Sequence, residues 1–330
     1  MKLKQVIFTF IITVFFLEIL LRLFGFGPYS YNSKWPEINM QPDSLLGFSH
    51  NIGTMSYNLY GKDITETILK DRNRITRPRL DTFNRYQYKI NLYGCSFTHG
   101  YGIEDSLTYP YILQKLRNEK INNFGISGHG LLQFYLLLKE HSMNNLKPNI
   151  AIIHYASFHN NRNILTKLKQ IEMERYSSNK AKLDSISFPY MKLNNDNVLE
   201  IYYEKHKKYK ETPLIKYSAI INSIDKLIVY IEDYKTNKNE ALTNQILMKK
   251  IINLCKEQHI TLIVLGLTND KITKAMLKLC QDNDIYSQDI SKGLDTQEYK
   301  LSQNDNHPNA KACQVYASRV NEILDYVINK

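Results

Sequence analysis

From residue 88 onward, short apolar runs alternate with longer segments of helical periodicity. The strand-like runs lie at residues 88–93, 121–124, 148–155 and 261–267, with a weaker one at 284–290. The helical segments lie at residues 106–119, 133–142, 241–258, 271–281 and 309–327. The run at 148–155 is continuously apolar, which is typical of a strand buried on both faces. This alternation predicts an α/β fold with a parallel sheet covered by helices on both faces.

The composition narrows the class of protein further. The chain has 330 residues, of which 43% are hydrophobic, and this excludes wholesale disorder. Its four cysteines are scattered without a Cys-x-x-Cys pair, so the sequence supports neither a disulfide scaffold nor a zinc knuckle. The formal net charge of +11 is compatible with nucleic acid, an anionic membrane surface or an acidic glycan as partner.

An apolar segment at residues 6–26 follows Lys2 and Lys4. A helix that crosses a bilayer needs about 20 mainly apolar residues, and this segment nearly supplies them. Glu18 and Arg22 stand four positions apart and can pair on one helix face. No small-residue cleavage site is present, so we predict an uncleaved signal anchor rather than a cleaved signal peptide. The alternative is a buried amphipathic core helix, for which Glu18 is the main support.

The predicted organisation of the chain begins with this anchor and continues with a connecting segment and an α/β domain. We predict a single-pass transmembrane helix at residues 1–26, and the lysines before it place the rest of the chain in the periplasm or outside the cell. Residues 27–87 are turn-rich and read as a connecting segment. Residues 88–330 form the α/β domain, interrupted by a basic, tyrosine-rich insertion at about 164–240. The insertion carries no recognised nucleic-acid motif, so we expect a solvated helix face and no nucleic-acid partner.

Polar residues follow the predicted strands, where the active sites of parallel sheets lie. Residues 94–100 read Gly-Cys-Ser-Phe-Thr-His-Gly, and residues 125–128 read Gly-Ile-Ser-Gly. A cluster of side-chain donors occupies residues 157–163, and residues 304–309 read Asn-Asp-Asn-His-Pro-Asn. A serine, a histidine with a nearby carboxylate, and spare N–H and amide donors are the parts needed for acyl transfer. No metal-ligand spacing or phosphate-binding loop accompanies them.

These motifs resemble those of the SGNH/GDSL hydrolases, in the same chain order and with comparable spacing. Residues 94–100 look like the first block of that family, residues 123–128 like the second and residues 305–310 like the last. The resemblance covers residues 88–163 and 250–330. It implies a flavodoxin-like three-layer α/β/α fold and ester chemistry without a metal or cofactor.

The resemblance also implies roles for individual residues. Ser96 matches the nucleophile, and its N–H matches one oxyanion donor. Gly128 matches the glycine oxyanion donor, and His307 matches the general base. Asp305 matches the acid that orients the histidine, although it stands two residues before His307 and Asn304 stands at three. Family members use both spacings.

Two blocks depart from the family pattern. Cys95 stands where the family usually has an aspartate before the serine, a position that does not carry the reaction. The third block normally reads Gly-x-Asn-Asp, and residues 157–163 do not fit it cleanly. We choose Asn160 as the side-chain amide donor of the oxyanion hole, with His159, Asn161 and Asn163 as alternatives.

The apolar segment ending in Glu-Ile-Leu-Leu-Arg at residues 18–22 also resembles membrane-tethered bacterial members of the family. The sequence therefore predicts a membrane-anchored serine esterase or O-acyltransferase that acts on acyl groups of cell-surface carbohydrate. One alternative is a lipid esterase at the membrane surface. Another is a non-catalytic, membrane-tethered glycan-binding protein on a degenerate hydrolase fold.

Overall fold

A computed structural model of the chain describes residues 3–29, 40–77, 86, 88–164, 185–194, 196–205, 212–237 and 239–329. The chain forms two compact units. The first comprises Met1–Ile38, Thr166–Lys180 and Lys207–Lys238, and the second comprises Asn39–Leu165, Ala181–His206 and Asn239–Lys330.

The elements are numbered here in chain order. The strands are β1 (Met40–Asp43), β2 (Gly47–His50), β3 (Gly53–Leu59), β4 (Lys62–Ile68), β5 (Lys89–Gly94), β6 (Lys120–Gly125), β7 (Ile150–Tyr155), β8 (Ser187–Leu193), β9 (Leu199–Lys205), β10 (Thr261–Gly266), β11 (Tyr286–Asp289), β12 (Lys300–Ser302) and β13 (Asp305–Pro308). The helices are α1 (Leu3–Leu23), α2 (Ser96–His99), α3 (Tyr109–Leu116), α4 (Leu131–Ser142), α5 (Ala219–Asn237), α6 (Glu240–Glu257), α7 (Lys271–Gln281) and α8 (Ala310–Ile328). Helices α1 and α5 belong to the first unit, and the other elements belong to the second.

The second unit is built on a parallel five-stranded sheet in the order β11-β10-β7-β5-β6. Numbered by their sequence order within this sheet, the strands run 5-4-3-1-2, which is the flavodoxin-like arrangement read from the other edge. The order reverses beside β5, the strand that leads into α2. The predicted α/β fold with a parallel sheet is thus confirmed.

Helices cover both faces of this sheet through buried aromatic contacts. On one face, the Tyr109 hydroxyl of α3 lies 2.9 Å from His154 Nε2 of β7, and the Tyr109 ring lies edge-on to Tyr316 of α8. On the other face, the Tyr93 hydroxyl of β5 lies 3.0 Å from His141 Nδ1 of α4. Adjacent residues of a strand point to opposite faces of the sheet. Because helices cover both faces, the side chains of the apolar strands are buried on both sides. The core therefore lies between the sheet and each helical layer.

The segment expected to connect membrane and domain contains two hairpins. Strand β1 pairs antiparallel with β2, and β3 pairs antiparallel with β4. Residues 40–77 belong to the second unit together with the large sheet. Tyr60 and Gly61, between β3 and β4, both have positive φ, as a two-residue type I′ hairpin turn requires.

Arg74 links residues 40–77 by hydrogen bonds to the loop that follows α2. Its backbone N–H donates to Asn123 O at 2.9 Å, and its fully buried guanidinium donates to the carbonyls of His99, Gly100 and Ile103. Its Nε also donates to Asp105 Oδ1 at 2.8 Å, so the buried charge is paired. A buried cation with a carboxylate and several carbonyl partners is expensive to disturb.

The expected insertion at about 164–240 divides between the two units. Strands β8 and β9 form an antiparallel hairpin in the second unit, and α5 belongs to the first. Residues 165–184, 195, 206–211 and 238 of the insertion lie outside the described residues, as do residues 206–210 of its basic run.

In the first unit, α1 is mainly apolar and none of its residues is buried. Among the described residues it is the one helix long and apolar enough to cross a membrane. Glu18, the charged residue within its apolar run, accepts hydrogen bonds from Arg22 and from the backbone N–H groups of Ala219 and Ile220. The carboxylate therefore has partners at the N-terminus of α5.

Candidate active site

Ser96 stands at the sharp turn where β5 passes into α2. The preceding residue, Cys95, has an extended backbone, and Ser96 is the first residue of the short helix. The helix packs so tightly on the strand end that a Cβ on Gly94 would lie 1.9 Å from the Thr98 hydroxyl oxygen. Glycine at position 94 is therefore required by this strand-to-helix turn.

Ser96, His307 and Asp305 form one hydrogen-bonded chain. The Ser96 Oγ lies 2.9 Å from His307 Nε2, and His307 Nδ1 lies 2.6 Å from Asp305 Oδ1. The serine and the histidine are separated by 211 positions, and the β12–β13 pair, which contains Asp305 and His307, brings them together. The structure thus places the three residues predicted from the sequence in hydrogen-bond contact.

The partners of Asp305 determine the proton positions in this chain. Burial alone would raise the pKa of Asp305, but hydrogen bonds from His307 and Tyr60 hold it below its ordinary value. An ionised carboxylate only accepts hydrogen bonds, so Nδ1 of His307 carries a proton. Nε2 is then the acceptor that faces the Ser96 hydroxyl. This is the tautomer that a general base for serine needs.

Tyr60 is a fourth member of the chain that the sequence did not reveal. Its hydroxyl donates to Asp305 Oδ2 at 2.9 Å from the tip of the β3–β4 hairpin. Asp305 Oδ1 meanwhile accepts both the backbone N–H and Nδ1–H of His307. Both oxygens of a 98% buried carboxylate are therefore satisfied. The hairpin turn is readable in the sequence, but its contact across 245 positions is not.

Gly128 lies in the loop after β6, which packs directly on α2. A Cβ on Gly125 would lie 2.3 Å from the backbone nitrogen of His99, so the two backbones meet without space for a side chain. Ile126 N–H donates to Gly94 O, which joins the ends of β6 and β5. Gly128 itself has φ of +82°, a conformation that favours glycine. The predicted glycine donor thus belongs to the loop beside the nucleophile turn.

Asn160 has other partners in the structure. Its Oδ1 accepts a hydrogen bond from the Tyr155 hydroxyl at 2.6 Å, and its side chain is hydrogen-bonded to Glu240. Within the described part of the chain, no hydrogen bond joins Asn160 to Ser96 or to His307. Because an oxyanion donor contacts the substrate rather than the triad, the assignment of Asn160 stays a prediction.

Two of the alternatives to Asn160, His159 and Asn163, accept hydrogen bonds from backbone N–H groups. His159 Nδ1 accepts the N–H of Ala156, and Asn163 Oδ1 accepts the N–H of Leu132 at the start of α4. Phe158, in the same loop, contacts Phe97. Its ring centroid lies 5.7 Å from that of Phe97, which in turn lies 5.6 Å from the His307 ring.

A second buried histidine cluster lies under the Gly128 loop. His50, Glu66 and His99 place their ligand-type atoms within 4.8 Å of one another. The two rings stack with centroids 3.9 Å apart and planes 10° apart, so their nitrogen lone pairs lie in nearly parallel planes and do not converge on one cation. The cluster is better described as a hydrogen-bond network that holds the loop.

The nitrogen and oxygen atoms of this network are already used. His99 Nε2 lies 2.8 Å from Glu66 Oε1, and His50 Nε2 accepts the backbone N–H of Ser127 at 3.2 Å. Burial lowers the pKa of His50 well below its ordinary value, so its ring is neutral and can accept this bond. Burial alone would raise the pKa of Glu66, but His99 and Arg74 hold it well below its usual range.

The arrangement around Ser96 contains the elements of nucleophilic catalysis. A serine hydroxyl is inert at its own pKa, and an imidazole in hydrogen-bond contact can remove its proton. A buried carboxylate behind the imidazole fixes the tautomer and stabilises the imidazolium that forms. His307 is about one quarter exposed, so a substrate can approach it from solvent.

Solved structures of other proteins are similar to this chain at low sequence identity. No protein-family model matches the chain, and no curated protein matches it either. Among solved structures, it is similar to the psychrotrophic esterase EstA from Pseudoalteromonas sp., with 12% identity and a TM-score of 0.41 over 73% of this chain and 99% of that one. It is similar to a member of the lipolytic protein G-D-S-L family from Veillonella parvula DSM 2008, with 11% identity and a TM-score of 0.40 over 72% of this chain and 98% of that one.

A GDSL-like lipase from Bacteroides thetaiotaomicron VPI-5482 is similar at 13% identity and a TM-score of 0.38, over 72% of this chain and 88% of that one. Similarity at these identities and TM-scores does not establish a function for this chain.

Proposed function

We propose that this protein is a membrane-anchored serine esterase or O-acyltransferase. The observation that carries the proposal is the continuous contact from Ser96 Oγ through His307 to Asp305, at 2.9 Å and 2.6 Å. The first contact lies within the range in which a proton can pass from a nucleophile to its base, and the second lets the carboxylate orient the imidazole. The apolar helix α1 supports the membrane attachment.

In the proposed mechanism, Ser96 Oγ attacks the ester carbonyl while His307 Nε2 takes its proton. The carbonyl oxygen becomes an oxyanion, for which we propose the backbone N–H groups of Ser96 and Gly128 as donors. His307 then gives its proton to the leaving alcohol, and the C–O bond to that alcohol breaks. Water or a sugar hydroxyl, deprotonated by His307, attacks the acyl-serine and releases the product and the Ser96 hydroxyl.

Asn160 enters this proposal as a residue whose role can be tested separately. A side-chain oxyanion donor is worth about 3–4 kcal/mol of barrier, or a loss of about 10²–10³ in kcat when it is removed. Because its amide is bonded to Tyr155 and Glu240, we expect Asn160→Ala to act mainly on stability. A loss of kcat of that size in a stably folded variant would instead assign it to the oxyanion hole.

The test of the enzyme proposal is labelling with a fluorophosphonate probe, which reacts with activated serines. We expect labelling of the wild type and none of Ser96→Ala. Ser318→Ala, on the exposed surface of α8, is the matched control and should label like wild type. Absence of wild-type labelling, with the chain folded, would favour the non-catalytic glycan-binding alternative.

For the substrate, we propose an acyl group carried by cell-surface carbohydrate, which the resemblance in the sequence motifs favours. Release of acetate from acetylated polysaccharide should then exceed hydrolysis of long-chain esters in micelles. The opposite preference would favour the lipid-esterase alternative.

For the topology, we propose one pass through the membrane, with the α/β domain in the periplasm or outside the cell. Resistance of the chain to alkaline extraction from membranes and cleavage by protease added outside the inner membrane would test it.

A further inference from the structure

Helix α5 presents an apolar stripe to its surroundings. At about 100° per residue, Ile220, Ile224, Leu227 and Ile231 lie within about 60° of one another around the helix axis. Ile224, Leu227 and Ile231 are 45–57% exposed, and so is Ile228 at the edge of the stripe. No charged side chain lies within this stripe. A row of large aliphatic side chains left open in this way marks an interaction surface.

The opposite side of α5 carries polar groups that are buried. Asn222 donates a hydrogen bond to Gly27 O at 2.8 Å, and the Thr212 hydroxyl donates to Asp225 Oδ1 at 2.5 Å. Val229, on the same side, is also buried. The helix therefore turns hydrogen-bonding groups inward and aliphatic groups outward. This is the reverse of what a surface helix in water shows.

Helix α5 begins beside the C-terminal part of α1. The Glu18 carboxylate accepts the N–H groups of Ala219 and Ile220 and the hydroxyl of Ser218, at 2.8–3.1 Å. Arg22 donates to the carbonyl of Tyr217 at 2.8 Å. A carboxylate at a helix N-terminus is favourable because it meets free N–H groups and the positive end of the helix dipole. The start of α5 is thus fixed beside the last turns of α1, at Glu18 and Arg22.

We infer that the apolar stripe of α5 lies in the interfacial layer of the same lipid bilayer that α1 crosses, so that the first unit contacts the membrane through two helices. The inference rests on the proposed anchoring by α1, whose Glu18 is hydrogen-bonded to the first residues of α5. Tyr217, Tyr230 and Tyr234 are 68–76% exposed on α5 and just before it. Tyrosine is enriched at the membrane–water boundary, where its ring and hydroxyl meet different surroundings.

The pairing of Glu18 fits this placement. A lone carboxylate within an apolar transmembrane segment is costly, and such groups usually have a partner inside the protein. Here Arg22 and the first N–H groups of α5 supply the partners. Helix α5 therefore both shields the charge of the anchor and offers its own apolar stripe to the lipid.

The test places single tryptophans in the full chain, reconstituted in phosphatidylcholine vesicles, after Trp35→Phe removes the chain's one tryptophan. Leu227→Trp probes the stripe, and Lys226→Trp probes the adjacent position on another side of α5. Phe16→Trp, on the exposed surface of α1, reports on the anchor itself. Lipids brominated near the headgroup or near the chain ends then quench the fluorescence according to depth.

We expect Leu227→Trp to lose emission with lipids brominated near the headgroup, and Lys226→Trp to keep its emission and remain open to aqueous iodide. If lipid quenches the emission of Phe16→Trp but not that of Leu227→Trp, the inference is overturned and the anchor remains. Equal quenching of the tryptophans at positions 226 and 227 would overturn the inference in the same way. Unquenched Phe16→Trp would overturn the anchoring proposal and the inference with it. A further outcome is that the emission of Leu227→Trp is blue-shifted but not quenched by any brominated lipid, while the chain self-associates. That result would overturn the inference in favour of a protein partner.

Discussion

Asp305→Asn is the substitution whose outcome the structure specifies most closely. Asp305 Oδ1 accepts two N–H groups of His307, and Oδ2 accepts the Tyr60 hydroxyl. An asparagine can keep its oxygen toward His307 and turn its NH₂ toward Tyr60, whose oxygen can accept a hydrogen bond. The imidazole then keeps its proton on Nδ1, so the correct tautomer survives and only the negative charge is lost.

The expected loss in kcat/KM follows from the loss of this negative charge beside the imidazolium. Two unit charges about 4 Å apart interact by about 4 kcal/mol at an effective dielectric constant of about 20. Partial exposure of His307 reduces this energy, so we expect Asp305→Asn to lower kcat/KM by about 10²–10³-fold, at about 1.4 kcal/mol per tenfold. An exchange that enforces the wrong tautomer would instead lose about 10⁴-fold.

Tyr60→Phe in the same background tests the reasoning. With phenylalanine at position 60, the NH₂ group of the asparagine has no acceptor, and a buried unsatisfied donor costs about 1–3 kcal/mol. The double variant should therefore lose more than the product of the two single losses. The assay is kcat/KM for p-nitrophenyl acetate, with circular dichroism to confirm the fold. A loss near 10⁴-fold for Asp305→Asn alone, or purely multiplicative losses, would refute the proposed amide orientation.

Three further predictions concern the buried groups around the site. Arg74→Met removes the buried partner of Asp105 and should lower the free energy of unfolding by about 3–5 kcal/mol in urea denaturation; a change below 1 kcal/mol would mean that the guanidinium contributes no more than a surface ion pair. Burial lowers the pKa of His154 to about 4 from its ordinary 6.5, so its stabilising contribution is present above pH 6.5 and is lost as the pH falls toward 4. Across that range His154→Gln should remove about 3 kcal/mol of the pH dependence of unfolding, whereas unchanged curves would contradict a neutral buried ring. His50→Ala leaves the Ser127 N–H without its acceptor beside Gly128, and we expect kcat to fall about tenfold, near 1.4 kcal/mol of barrier, with KM retained; a change in KM alone would argue against a role in holding the oxyanion loop.

The sequence determined the strand–helix alternation and the residues at the strand ends. The apolar period and the glycines around Ser96 are local signals, because strand burial and sharp turns depend on residues close in the chain. The predicted helix at residues 106–119 is shorter in the structure and begins at Tyr109, after a separate turn at Asp105–Leu107. Local propensity specifies that a helix forms there, whereas side-chain bonds from Gln114 to the carbonyls of Arg117 and Glu119 fix its end.

Only the tertiary structure decided which distant groups meet the site. Tyr60 and Arg74 come from residues that the sequence suggested were a connection, and they reach Asp305 and the loop after Ser96 through contacts between distant parts of the chain. Asn160 comes from a block that does not fit the family pattern cleanly, and its hydrogen bonds with Tyr155 and Glu240 could not be read from the sequence. Side-chain partners across the fold depend on how layers pack, and no local pattern encodes that packing. The sequence by itself therefore predicted the three residues of the hydrogen-bonded chain at the candidate site, and the packed structure supplied the residues that hold them in place.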